Sequence, residues 1–472
     1  MGSCRSLTVA LPAALLAILL IAAASAAADK GVSKRRPQDA PRLSLADAVA
    51  SALARNLKIS DGMLAIQESE HQRREAYSDF FPSVDLQYLG AGYRYRQSGV
   101  VQSFAMSHDS RRAAAVALDA NGNPHFGSYP YRIDPYRTFT LAATLTQPIY
   151  TGGKLLSNYK YARLGVDYSE LDLGVRRQDL TLEVYQAYFD MIQGQKLLDV
   201  ANQSIRALES LRNQTVEFYK AGVVPKVDVL ATEGQLAQAR IQRTQAATDI
   251  EKARSALCYL LRYPQESPLE IVEDLKYEPT GYGVPGIYNT AIQNRLEIRQ
   301  ANISVEQALA LVKAAQSDLL PSVALQAQGS RTNDDWNPLD HEAINAWKLQ
   351  GVFTWAFDTF RTRETVKEKR VGQARAFVQA QLLVEQIMNE VKEAYLDMKR
   401  AESDIQDNRK AVEFRSENFR INQERYKEQV ATYTEVLDAQ RQLSQAQGDY
   451  YISLVSYRIN LAVLERQMGI IR

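Results

Sequence analysis

Cysteine is almost missing: the 472-residue chain has 2, Cys4 and Cys258. Cys4 falls in an N-terminal segment that reads as removable. An exported chain left with one thiol holds no internal disulfide, so its stability must come from packing or assembly. Histidine is scarce as well. The 4 present, His71, His108, His125 and His341, are scattered without metal-ligand spacing. No serine nucleophile elbow, phosphate loop or zinc-protease His pair occurs, so neither catalysis nor a cofactor is expected. An excess of one charge sign is absent too. Lys+Arg 56 against Asp+Glu 55 gives a net +1, which argues against nucleic acid as a partner. Beyond the N-terminus no apolar run is long enough to span a bilayer as a helix. A chain of this kind that crosses a membrane must use strands.

The one long apolar run is Leu7 to Ala24, behind a small basic head at Arg5 and ahead of Ser25, Ala26, Ala27 and Ala28. That layout predicts a cleavable secretory signal over residues 1–28. A retained membrane anchor is the alternative, because the run approaches the roughly 18 residues that a spanning helix needs. Cys4 lies too early for a lipoprotein cleavage box. The basic stretch Lys30, Lys34, Arg35, Arg36 is read as a lead-in to the fold, and Cys258 as a small buried apolar residue.

What the chain has in place of these features is repetition. Ser78-Asp79-Phe80-Phe81-Pro82-Ser83-Val84 matches Ser317-Asp318-Leu319-Leu320-Pro321-Ser322-Val323, an offset of 321 − 82 = 239. Val184-Tyr185-Gln186-Ala187-Tyr188 matches Val391-Lys392-Glu393-Ala394-Tyr395, an offset of 391 − 184 = 207 that persists to Val229-Leu230 against Val436-Leu437. The chain is a tandem duplication, and the first half carries 32 extra residues in the loop between Tyr93 and Tyr136. Asn121-Gly122-Asn123-Pro124 marks that loop as a surface excursion. The expected division is a first repeat over 29–262, a linker over 263–285 and a second repeat over 286–472.

Alternation predicts strands over about 83–95, 136–150, 322–332 and 346–358. Phe139, Leu141, Ala143 and Leu145 alternate with Thr138, Thr140, Ala142 and Thr144. Strands of this length with one apolar face suit a membrane barrel. A different period governs the rest. Leu180, Val184, Ala187, Met191, Gly194 and Leu198 step by four and three, the seam of helices that coil around neighbours. The hairpins are expected over about 154–262 and 361–468. The long helix near 154–221 would reach about 100 Å at ~1.5 Å per residue. Shorter helices, expected as single elements over 45–81, 225–261, 287–320 and 433–468, would pair along it end to end. Four strands cannot close a barrel and open edges are not tolerated in lipid, so several copies must combine. That argument leaves two, three or four copies open.

The whole mature chain resembles the TolC-like outer-membrane efflux family. The resemblance rests on the duplication, on the junctions Gln147-Pro148-Ile149-Tyr150-Thr151-Gly152-Gly153 and Phe357-Asp358-Thr359-Phe360, and on the helix tips. The tips read Tyr219-Lys220-Ala221-Gly222-Val223-Val224-Pro225-Lys226-Val227-Asp228-Val229-Leu230 and Tyr426 through Leu437, then Asp438-Ala439-Gln440. The resemblance implies an α+β membrane protein: a homotrimer whose twelve-stranded transmembrane β-barrel continues into a periplasmic helical coiled-coil barrel. It implies residence in the outer membrane of a Gram-negative bacterium and the role of exit duct in tripartite efflux or type I secretion. The implied partners are outer-membrane lipid, a periplasmic adaptor and an inner-membrane transporter of RND or ABC type. It places a constriction of acidic residues on Glu435 and Asp438, and a polar latch on Tyr426 and Asp228. Ala431 stands where the family's latch has an arginine, which implies a weaker latch or one built differently, with a residue such as Lys226. Thr432-Tyr433-Thr434-Glu435 also reads as a helix capping box, a role for Glu435 that needs no pore. A periplasmic coiled-coil adaptor is the competing reading, and the paired amphipathic strands speak against it. The cargo is not legible.

Overall fold

The computed structural model describes residues 42–93, 136–273, 275–334, 336–337, 343–356 and 359–471. The expected signal segment, most of the first-repeat loop with His108 and His125, His341, and Phe357-Asp358 lie outside the described residues. The elements run β1 (Arg42–Leu43), α1 (Leu45–Arg55), α2 (Leu57–Ser78), β2 (Ser83–Tyr93), β3 (Tyr136–Tyr150), α3 (Lys154–Lys220), α4 (Lys226–Leu261) and β4 (Glu270–Ile271). They continue with α5 (Val284–Asn294), α6 (Leu296–Ser317), β5 (Ser322–Asn333), β6 (Ile344–Thr354), α7 (Thr359–Lys427) and α8 (Tyr433–Gln467). Among the described residues no helix is long and apolar enough to cross a membrane.

The single helices expected over 45–81 and 287–320 are each broken once and end early. The breaks fall at Asn56 and Arg295, related by the 239-residue offset, with extended backbone at ψ 137 and 118. Asn56 caps α2 by accepting from the Lys58 N–H, and its Nδ2 donates 2.9 Å to Leu260 O on α4. Arg295 Nη1 makes the equivalent reach of 3.3 Å to Gln467 O, the residue 207 beyond Leu260. A side chain that ties the kink to the neighbouring helix has been kept in both halves, with different chemistry. The early ends follow from Pro82 and Pro321, which disfavour helical backbone in the residue before them.

Four strands form one antiparallel sheet in the order β2-β3-β5-β6, with β3–β5 joining the repeats. Register sets the two faces. Val84, Leu86 and Tyr88 lie opposite Leu145, Ala143 and Leu141. Ala327, Gly329 and Arg331 continue that row, and Leu349, Trp347 and Asn345 end it. This face is largely apolar and open, with Leu86 76% and Trp347 85% exposed. The reverse face carries Asp85, Gln87, Thr140, Thr144, Gln326, Gln328, Lys348 and Gln350. On it Thr140 and Thr332 hydroxyls lie 3.0 Å apart, and Gln350 donates 2.9 Å to Gln326. β2 and β6 are the sheet's two edges, and neither has an outer partner among the described residues.

The helices are 67 residues in α3 and 69 in α7, about 100 Å each at ~1.5 Å per residue. Packing is thin along most of that length and concentrated halfway. Ala48, Ala52, Leu180, Val184, Met191, Leu257 and Leu261 form one buried core. Their repeat counterparts Ile287, Ala291, Ile387, Val391, Met398, Leu464 and Met468 form a second. Around them runs a belt: β1 pairs parallel with β4, and the Tyr188 hydroxyl lies 2.6 Å from Val272 O. Tyr277 donates 2.8 Å to Glu402, and Tyr457 donates 2.8 Å to Glu278 O. The Tyr277 phenol is pushed up to about 12 by burial and by its bond to the Glu402 carboxylate. The halves are tied by ions as well. Buried Arg466 reaches Asp179 at 2.7 Å and Glu297 at 2.8 Å, and Arg295 reaches Glu297 at 2.9 Å. Burial raises the Glu297 carboxyl, but the Arg466 bond and the two guanidinium charges outweigh it and hold the group below its usual range.

Candidate functional site: the paired helix tips

Both hairpins turn in the same way. Each long helix closes on a left-handed residue, Gly222 at φ 73 and, 207 residues on, Gln429 at φ 59. The next N–H then folds back, Val223 to Phe218 O at 2.9 Å and Val430 to Arg425 O at 2.8 Å. That is a Schellman ending, which glycine accommodates and glutamine adopts under strain. The returning helices start differently. Pro225 precedes α4 without a side-chain cap. Thr432 caps α8, its Oγ1 accepting from the Glu435 N–H at 3.4 Å and donating 3.1 Å to the Glu435 carboxylate.

An aromatic knot joins the two hairpins. Tyr426, Tyr433 and Val436 are buried against Leu211, with Phe218 at the margin. The Tyr426 ring meets Phe218 edge-on at 5.6 Å and Tyr433 edge-on at 5.9 Å, a geometry that aromatic quadrupoles favour. Each phenol donates across the junction. Tyr426 lies 3.4 Å from Thr215 Oγ1, whose own proton goes to Leu211 O at 2.9 Å. Tyr433 donates to Thr232 Oγ1, which in turn donates 2.9 Å to Asp228 O. Burial pushes both phenols upward and the nearby Asp228 charge adds to it, so both stay neutral donors near pH 7.

The residues expected at the tips are brought together in part. Tyr426 sits in the knot, while its repeat counterpart Tyr219 is 44% exposed. Asp228 lies near enough to act electrostatically on both phenols, but among the described residues no hydrogen bond joins it to Tyr426; Thr215 takes that place. Ala431 packs at the edge of the knot, and Lys226 forms no ion pair among the described residues. A cation does approach Glu435: Arg425 Nη1 lies 4.0 Å away, from one turn before the tip. Asp438 accepts from Arg441 and, at 2.6 Å, from Gln442 Nε2. Glu435 and Asp438 are three residues apart on α8 and share a face. Their side chains are about half exposed, at 48% and 47%. Tyr433, Thr215, Thr232, Arg425 and Arg441 escaped the sequence reading. Only Arg441 had a legible signal, standing one turn after Asp438.

Known proteins of the same architecture agree with this organisation. A family model described as outer membrane efflux protein matches residues 48–261 and 287–469. Nodulation protein T of Rhizobium leguminosarum bv. viciae is 22% identical over 68% of this chain and 68% of its own. The probable efflux pump outer membrane protein TtgC of Pseudomonas putida is 24% identical over 66% of this chain and 70% of its own. In three dimensions the chain resembles the Campylobacter jejuni CmeC outer membrane channel, with a TM-score of 0.72 at 18% identity over 90% of this chain and 85% of that one. The two matched segments cover most of the chain, so the chain belongs to the outer membrane efflux protein family and serves as an outer-membrane exit duct that extends into the periplasm.

Proposed function

We propose that three copies of the chain form the duct, the twelve strands closing as β6 of one copy pairs with β2 of the next. The observation that carries this is the sheet itself: two free edges and one apolar face on a four-stranded sheet, continuous with helices about 100 Å long. In hydrocarbon each unpaired edge group costs several kcal/mol, so closure by further copies is demanded. The polar face, with Asp85, Lys348 and the glutamines, then lines water. The chain's first 28 residues act as its export signal, and 29–262 and 286–472 are its structural repeats, belted by the 263–285 linker. A periplasmic adaptor meets the helices, and an inner-membrane transporter of RND or ABC type supplies and selects the cargo. Conduction through the duct is passive.

The tips are its gate. Three copies bring six carboxylates from Glu435 and Asp438 to the narrow end, which favours cations and makes closure costly through like-charge repulsion. Tyr426 and Asp228 belong to the latch, with Tyr433, Thr215 and Thr232 supplying the bonds that hold the hairpins together. The test is single-channel recording of Glu435→Ala and Asp438→Ala in a planar bilayer. Reduced preference for cations is expected in each variant and a larger reduction in the double variant. Unchanged selectivity in the double variant would remove both residues from the constriction.

A further inference from the structure

Within one chain, α3 of the first repeat packs against α8 of the second. The 207-residue offset turns α3 into α7 and α8 into α4. In the duct proposed above, α7 of one copy therefore lies against α4 of the next, a head-to-tail junction of the kind that closes a ring. Exposed side chains agree with that pairing. Val371 and Leu396 on α7 are bare, whereas their counterparts on α3, Leu164 and Phe189, are buried. Phe189 is covered by Arg458 of α8, 5.3 Å from its ring. Leu230 on α4 is bare as well, whereas its counterpart Leu437 on α8 packs on the cluster of Ile205 and Leu208 from α3.

At the tips the transfer reaches individual residues. Inside one chain, Tyr433 opens α8 and its hydroxyl meets α4 at Thr232, which donates 2.9 Å to the Asp228 carbonyl one turn earlier. Side chains four apart share a helix face, and the Asp228 charge is felt at the Tyr433 phenol. Between copies, Lys226 takes the place of Tyr433, Ala439 that of Thr232 and Glu435 that of Asp228. A lysine side chain is about as long as a tyrosine, so its ammonium arrives beside the Glu435 carboxylate. The rest of the knot is not rebuilt there. Leu211 becomes Asn418, Thr215 becomes Asn422 and Phe218 becomes Arg425, so Tyr219 finds no apolar seat.

Both ends of the pair are available. Lys226 is exposed and forms no ion pair among the described residues. Glu435 is half exposed, and Arg425 of its own chain stays 4.0 Å away.

We infer that Lys226 of each copy forms an ion pair with Glu435 of the adjoining copy and so locks the closed tip between copies. Aromatic packing holds the hairpins within a copy, and charge holds them between copies. The pairing also offsets the repulsion among the six carboxylates, because three of them face an ammonium when the tip is closed. It rests on the duct and gate proposed above and adds the residues that join one copy to the next.

Two measurements test it. A zero-length carbodiimide couples an amine to a carboxylate only where the two touch. Treated trimers should give a covalent dimer band whose digest contains Lys226 joined to Glu435, and Lys226→Gln should lose that peptide. Absence of the peptide from the dimer band, or its presence only in single chains, overturns the inference. Single-channel recording then reads closure. An exposed ion pair shifts an equilibrium about twofold and three act together, so Lys226→Gln should raise the open-to-closed ratio roughly tenfold. Lys226→Arg should restore closure. Glu435→Gln keeps the capping box, and combined with Lys226→Gln it should close better than Lys226→Gln alone, since no carboxylate is left unpaired. About 1 M salt should open wild type and leave the double variant unchanged, as screening requires. Wild-type closure in Lys226→Gln, or additive effects of the two substitutions, would also overturn the pairing. Trimers on a native gel and conductance of the open wild-type channel read the duct by itself. Conducting trimers without the cross-linked peptide lose the ion pair and keep the duct, whereas absence of trimers loses both.

Discussion

Truncation of Tyr433 is the sharpest probe of the tips. Its ring is 4% exposed, packs on Tyr426 and donates its hydroxyl to Thr232 on the other hairpin. Cutting a buried aromatic ring to alanine costs about 3–5 kcal/mol. Only the part that crosses between hairpins bears on opening, because contacts with Tyr426 and Val436 stay within the second hairpin. Taking roughly half gives ~1.5–2.5 kcal/mol, and at 1.4 kcal/mol per decade this is a shift of about ten- to seventyfold toward the open tip. Tyr433→Phe isolates the hydroxyl, worth about 1 kcal/mol net, and should shift the balance roughly fivefold. Single-channel recording of open probability reads the series, with circular dichroism to confirm that the helices persist. Tyr219→Ala, at the exposed counterpart in the first hairpin, should record like wild type. If Tyr433→Ala folds and conducts like wild type, the knot plays no part in gating.

Three further outcomes follow from local geometry. Gln429→Gly removes a left-handed non-glycine residue and should raise the thermal midpoint, by about 1 kcal/mol of stability, whereas Gly152→Ala should lower it. Gly152 has φ 62, and a Cβ there would lie 2.8 Å from Ser317 O at the strand–helix junction. Arg466→Ala leaves the Glu297 charge half-uncompensated and should cost about 3–5 kcal/mol. Because Glu297 is depressed in the fold, the network's contribution is complete above the unfolded value of 4.5 and fades as pH falls through the lower folded value. Acid unfolding monitored by tryptophan fluorescence should therefore lose part of its pH dependence in Glu297→Gln. Tyr277 works at the other end of the scale. Its folded value of about 12 exceeds the ordinary 10.0, so the neutral phenol is favoured. Its contribution is complete below pH 10 and is lost as pH rises through 12. Limited proteolysis of the linker should become faster over that interval in wild type, and Tyr277→Phe should flatten the response.

What could be read directly from the chain was whatever is periodic. Alternation in Phe139 to Leu145 gave the strand and its apolar face, because pleating puts every second side chain on one side. Four-three stepping from Leu180 gave the seam, and length alone gave helices too long for a globular core. The duplication then placed each element twice. The sequence did not show the kinks at Asn56 and Arg295, where tertiary bonds to α4 and α8 override a run of good helix formers.

Tertiary structure alone decided which of two equivalent residues does the work. Tyr219 and Tyr426 occupy the same place in the repeat and are indistinguishable by spacing, yet the first lies open and the second is buried between hairpins. The same holds for the pairing of Tyr433 with Thr232 and the approach of Arg425 to Glu435. Periodicity reports which side of an element is buried, since that is a property of the element's own geometry. Which neighbour covers that side depends on how distant segments meet, and no local pattern records it.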